Sequence, residues 1–342
     1  MSRPRTTAIA LAVALTLAAL VLAACGEKSE SESGGKETQQ LSLALDFYPN
    51  PDHAGIYMAE EKGFFEEAGL DVAISAPSDP SAPLKLVASG KSDLAITYEP
   101  EVVLAHEEGL PVTAVAALVN RPLTSMIWLR SSGIKSVAGL AGKTVATAGI
   151  PYQDAFLTTI LNRAKVDPNT VKSVNVGFGL LPALVSGQAQ AMLGGFSNVE
   201  GVDLQQRGKA PVITPVDQLG VPTYDELVIV ANSNDLDAQA EEIRLFIAAL
   251  ERGTDAAVAD PQAATAAITA ANGDLEPKLT AAEVEATLPI LAARDGNHPY
   301  GYMDPAQWEA FAAWMRDEEL ISGLPKAPEL LSNDYLSGVI PE

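Results

Sequence analysis

The chain predicts an α/β protein of two lobes. Three observations carry that expectation: strand-like and helix-like segments alternate, the alternation restarts midway, and two extended apolar segments lie between the halves. Strands alternating with helices imply parallel sheets with helical crossovers. Leu41–Leu45 alternates apolar and small residues, then meets the turn-rich Tyr48–Asp52. Ala54–Lys62 is helix-like and Gly63 breaks it; Leu70–Ile74 is strand-like. Pro83–Ser89 reads as a helix with Gly90 as its C-terminal stop. Leu94–Tyr98 is a buried type of strand, Val102–Glu108 a helix, and Val112–Val119 a strand. The second round runs Thr144–Ala148 (strand), Asp154–Lys165 (helix), Val171–Val176 (strand), Leu181–Ser186 (helix), Ala189–Leu193 (strand) and Val199–Gln206 (helix). Ser125–Leu129 and Leu227–Ala231 are the extended segments between, read as crossing strands. This places one lobe at 41–130 plus 226–342 and the other at 131–225. The remainder is helical. Ile243, Phe246, Ile247 and Leu250 form one apolar stripe, and Trp308, Phe311, Ala312 and Met315 another; core packing is their expected role.

The N-terminus reads as an address. Arg3 and Arg5 precede an uncharged run from Ala8 to Ala24, too short for a membrane span of about 20 residues but suited to an export signal. Leu22-Ala-Ala-Cys25 resembles the lipobox of bacterial lipoproteins, which implies a signal peptide over 1–24 and lipidation of Cys25. Residues 25–40 continue as a polar, Ser/Glu/Gly-rich tether. The expected location is the extracytoplasmic face of the cell membrane, held by lipid.

Composition excludes several classes. With 22 Lys+Arg against 44 Asp+Glu the net charge is −22, and removing residues 1–24 leaves −24. A nucleic-acid footprint needs the opposite sign. One cysteine excludes an internal disulfide and any thiolate zinc or iron–sulfur site. The three histidines, His53, His106 and His298, lack zinc-site spacing, and no phosphate-binding loop or nucleophile elbow occurs. No metal or cofactor is implied.

Leu45-Asp-Phe-Tyr-Pro-Asn-Pro-Asp-His-Ala-Gly-Ile-Tyr57 and the following Ala59–Leu70 resemble the family of bacterial thiamine-pyrimidine-precursor-binding proteins and eukaryotic thiamine pyrimidine synthases. Ser92–Pro100, Arg121–Ser125, Gly149–Pro151, Gly194–Glu200 and Val221–Leu227 match as well. The Gly-Phe-Phe pattern is shared with the wider group of sulfonate, taurine and nitrate binders. The resemblance implies a type II periplasmic-binding fold, with a ligand cleft between two lobes at the strand ends. It also implies partners: a small heterocycle, and the permease and ATPase of an ABC importer. Two rivals follow from the same resemblance, a thiamine pyrimidine synthase and a receptor for riboflavin, sulfonate or nitrate. The synthases carry a cysteine-rich iron-binding motif by resemblance, at odds with a single cysteine at 25.

The matched loops supply a consistent kit. Phe47 (where the family often has Trp), Tyr48, Tyr98, Tyr152 and Phe196 lie at or just past predicted strand ends, where rings can sandwich a flat heterocycle or simply pack the lobes. Asp46, Asn50, Glu99, Asn198, Glu200 and Glu226 offer acceptors and amide donors that suit an aminopyrimidine; Thr124 accompanies them. Asn50 equally suits a helix cap. His53 stands where the synthases, by resemblance, place a reactive histidine; here it can donate a hydrogen bond to ligand. Gly149 and Gly194-Gly195 suit either a close backbone approach or tight turns. Arg121 is the clearest cation of these loops, so they disfavour an anion.

Overall fold

A computed structural model of the chain describes residues 38–293 and 296–338. The expected signal peptide, Cys25 and the expected tether as far as residue 37 lie outside the described residues. Two five-stranded sheets form two lobes. The first runs β2-β1-β3-β10-β4 and the second β7-β6-β8-β5-β9. The strands are β1 Gln39–Ala44, β2 Leu70–Ser75, β3 Leu94–Thr97, β4 Val112–Val119, β5 Thr124–Leu129, β6 Thr144–Thr147, β7 Lys172–Asn175, β8 Ala191–Phe196, β9 Pro211–Pro215 and β10 Leu227–Asn232. β1 thus begins two residues inside the expected tether.

The sheets are mixed rather than parallel. β1 pairs parallel with β2 and β3, but β10 runs antiparallel to both β3 and β4. In the second sheet β6 pairs parallel with β7 and β8, while β5 runs antiparallel to β8 and β9. Each antiparallel strand is the one that arrives from the other half of the chain. Every residue of β3, β4 and β10 is buried, as sheets covered on both faces require.

The first crossing falls earlier than the sequence suggests. Thr124–Leu129 belongs wholly to the second sheet, so the chain leaves the first sheet after Val119 and not near residue 130. β9 has no strand signal because prolines bracket it. They are tolerated there because β9 is an edge strand, with no neighbour on its outer side to be deprived of a donor.

Both apolar stripes are buried. The first lies on the helix Ala240–Ala259, which packs against the helix Ala54–Glu61 with almost no side chain between the two backbones. A Cβ on Gly253 would stand 2.1 Å from the Gly55 carbonyl oxygen. Among the described residues no helix is long and apolar enough to cross a membrane.

Gly253 gives the first prediction. Helix propensity alone favours Gly253→Ala by ~1 kcal/mol. The clash lies against backbone, which cannot swing aside, so the variant should instead lose about 1–3 kcal/mol in urea unfolding. A stability gain would mean that the two helices separate freely.

Candidate functional site

The loops that follow the strands of the two sheets face each other across a cavity of about 310 Å³. The first lobe contributes Asp46, Phe47, Tyr48, Pro49, Asn50 and Tyr98, and the second contributes Ile150, Tyr152, Gln153, Phe196, Glu200, Asp203 and Arg207. The segment Asn272–Glu283 closes one side. Open sheets bind ligands outside the carboxyl ends of their strands, and this cavity lies there.

Aromatic rings make its walls. Phe178, in the loop after β7, stands 4.6 Å from Phe47 and 4.3 Å from Tyr48, so rings of opposite lobes meet at the cleft. Tyr48 is 45% exposed and forms the outer end of this cluster. Deeper in, Tyr98 and Tyr152 meet edge to face at 5.7 Å. Phe178 escaped the sequence reading because it sits in a glycine-flanked loop past a four-residue strand.

Asp46 is held at both of its oxygens. Tyr98 donates its hydroxyl to Oδ2 at 2.9 Å, and His53 Nε2 lies 2.9 Å from Oδ1. The Asn50 backbone N–H donates to His53 Nδ1 at 3.3 Å, so the ring carries its proton on Nε2 and donates to Asp46. His53 is fully buried and outside the cavity lining. It orients Asp46, which corrects its expected contact with ligand. Asn50 has both expected roles in geometry: its side chain caps the turn Pro51–His53 by accepting from Asp52 N–H at 2.9 Å, and the residue lines the cavity.

Four more expected site residues point elsewhere. Glu226 accepts the backbone N–H groups of Leu123 (2.6 Å) and Thr124 (2.7 Å), the Thr124 hydroxyl (2.8 Å) and the Tyr224 hydroxyl (3.0 Å). It ties the outgoing crossing to the returning one, and Thr124 is consumed in the same knot. Glu99 accepts from the Asp225 N–H at 2.6 Å and from Gln307 at 3.0 Å. Tyr98 and Glu99 are neighbours at a strand end, where successive side chains diverge; Tyr98 takes the cleft and Glu99 the back. Asn198 is buried between Asp52 and Thr287, at 2.8 Å from each. Arg121 is exposed and absent from the lining.

Sequence reasoning missed Gln153, Asp203, Arg207 and Glu283. Gln153 Oε1 accepts the Ala148 N–H at 2.8 Å, and a Cβ on Gly194 would meet its amide nitrogen at 2.4 Å. Gly194 lies within β8, where the pairing with β5 skips it, so a tight turn is not the reason for it; the positive φ of 107° at this irregularity and the close approach of Gln153 both require glycine. Arg207 is the only Lys or Arg among the described lining residues, and Asp203 takes it in a two-point pair. Against it stand Asp46, Glu200, Asp203, Asp274, Glu276 and Glu283. Burial pushes the Glu283 carboxyl up to about 8, reinforced by Glu200, Asp203 and Asp52. Burial also raises Glu200, although the Phe196 N–H donates to it at 2.7 Å.

Two α/β lobes over a cleft walled by rings and carboxylates are the architecture of a solute-binding protein. The chain belongs to the family described as NMT1/THI5 like, whose pattern matches residues 50–264. It is 36% identical to the formylaminopyrimidine-binding protein of Halalkalibacterium halodurans, over 89% of this chain and 92% of that one. It is 25% identical to a 4-amino-5-hydroxymethyl-2-methylpyrimidine phosphate synthase of Saccharomyces cerevisiae, over 88% and 86%. In fold it is similar to the alkanesulfonate-binding protein of Xanthomonas axonopodis pv. citri, with TM-score 0.67 at 16% identity over 86% and 99%.

Glu226 generates the second prediction. Burial raises its carboxyl to about 7, partly offset by the bonds it accepts, and Asp225 likewise reaches about 7. Between the ordinary carboxylate value and those raised values the folded chain holds more protons than the unfolded one. Stability should therefore fall as pH rises from about 5 to 8, the opposite of a salt-bridged acid. Glu226→Gln should flatten that slope in urea unfolding at several pH values. Glu226→Ala should cost about 1–3 kcal/mol for each backbone N–H left without an acceptor. A rising stability over that range would overturn this account.

Proposed function

We propose that the chain is the extracytoplasmic receptor of an ABC importer, tethered by lipid at Cys25, and that its ligand is a pyrimidine precursor of thiamine or a closely related planar heterocycle. The observation that carries the ligand class is the lining itself. Aromatic walls fit the faces of a flat ring, and carboxylates outnumber a single arginine already committed to Asp203. An aminopyrimidine presents amine hydrogens to such acceptors. The name of the Halalkalibacterium halodurans relative points the same way. An anion receptor would want free cations or helix N-termini facing the cavity. The importer role follows from the family resemblance and from the export-signal pattern of residues 1–24.

Of the expected ligand residues, Asp46, Phe47, Tyr48, Asn50, Tyr98, Tyr152, Phe196 and Glu200 keep that role in the proposal, since all eight line the cavity. Isothermal calorimetry against an aminopyrimidine, a flavin, taurine and nitrate tests it. The aminopyrimidine should bind and the two anions should not. Glu200→Gln should weaken binding by ~10- to 150-fold through a lost charge-assisted bond. Tyr48→Ala should cost ~1–3 kcal/mol of stacking. Binding of taurine or nitrate with the pyrimidine silent would favour the anion receptor instead.

The anchor is tested separately. Cys25→Ala should abolish acylation and move the protein from the membrane fraction to the soluble one. Wild-type chain with an unmodified N-terminus would refute the lipid tether.

A further inference from the structure

Asp52 and Asn198 come from opposite lobes. Asp52 lies in the turn Pro51–His53 after β1, and Asn198 follows β8. Both are buried, at 1% and 3% exposure. Asn198 Nδ2 donates to Asp52 Oδ1 and to Thr287 Oγ1, each at 2.8 Å. The Thr287 hydroxyl proton is spent on the Glu283 carbonyl at 2.8 Å, so Thr287 can only accept from Asn198. That fixes which end of the Asn198 amide faces each neighbour. The second oxygen of each partner, Asp52 Oδ2 and Asn198 Oδ1, is then buried without a hydrogen-bond partner. Two orphaned acceptors on one bonded pair are costly as long as both are bare.

A single proton resolves both. We propose that Asp52 is protonated when the lobes meet and donates its Oδ2–H to Asn198 Oδ1, so that lobe closure takes up a proton. The contact is then a two-point acid–amide pair, bonded once in each direction.

The surroundings favour the proton. Asp46 faces Asp52 from the end of β1, Glu200 from the helix Glu200–Gln206, Glu226 from the returning crossing, and Glu283 from the helix Pro277–Leu291. The nearby cation is already matched, since Arg207 pairs with Asp203, and the Nε2–H of His53 is spent on Asp46. Burial, with those acids, pushes the Asp52 carboxyl up to about 8. Opening the lobes takes Asn198 and Glu200 away from it and admits water, which moves it back toward the ordinary carboxylate range. Closure is thus favoured in acid, weakens as pH rises between the open and closed values, and levels off above about 8.

The inference needs the two lobes and their contact but no particular ligand, so its test contains none. Spin labels at Lys91→Cys and Lys172→Cys, one exposed site on each lobe of the full chain carrying Cys25→Ala, report the lobe distance by pulsed electron resonance. The closed-to-open ratio should fall with pH from 5 to 8. Asp52→Asn keeps both hydrogen bonds without a proton, because its amide donates where the acid did. Its slope should be shallower than wild type by about tenfold in that ratio per pH unit. Asn198→Ala should open the lobes even at pH 6, which keeps the test decisive if Asp52→Asn folds poorly. The proposal fails if Asp52→Asn tracks wild type across the range, or if Asn198→Ala stays closed.

Discussion

The Glu226 carboxylate is the tie on which the two-lobed arrangement rests. The chain passes between the sheets twice, once after Val119 and once before Leu227. Strands cannot hold these crossings, because neither lies within a sheet. Glu226 supplies what the sheets do not: one side chain on the returning crossing accepts two backbone N–H groups of the outgoing one. Glu99 adds a second tie from the helix behind it, through the Asp225 N–H. Polar backbone that would otherwise be buried bare is thereby satisfied, and the strand-end loops of the two lobes are held facing one another.

Those ties carry a cost that shapes the chemistry of the cleft. Carboxylates withdrawn from water resist ionisation, and several of them sit within one another's field. The result is a cluster of raised acids around the lobe junction: Asp52, Glu226 and Glu283, with Glu200 at the cavity wall. Such carboxyls offer hydrogen-bond acceptors to the cavity whether or not they are charged. The same crowding underlies both the proposed ligand class and the proton proposed to be taken up on closure.

The rings complete the site by a different route. Phe47, Tyr48 and Phe178 meet across the lobes, and Tyr98 and Tyr152 do so deeper down. Tyr98 also holds Asp46, so one side chain provides both wall and orientation. Gly194 makes room for Gln153 in the floor of the same cavity. Packing and the cavity lining therefore share residues.

The sequence by itself determined the α/β lobes, most strand and helix positions, and the loops that carry the cavity. Periodicity, glycine stops and strand-end aromatics are local signals that made Tyr48, Tyr98 and Tyr152 legible, while Asp46 and Glu200 were legible through the loops that match the family resemblance. Only the tertiary structure decided which way each side chain turns. Tyr98 faces the cleft and Glu99 the crossing, because adjacent residues at a strand end diverge. His53 was legible as a special residue, yet burial behind Asp46 makes it a support and not a contact. Arg207 caps the C-terminus of the helix Glu200–Gln206 and Glu283 lies on the helix Pro277–Leu291, where nothing local separates a cavity-facing charge from a solvated one. Their roles arise when helices distant in sequence are brought to the same wall, and that placement is a property of packing rather than of spacing.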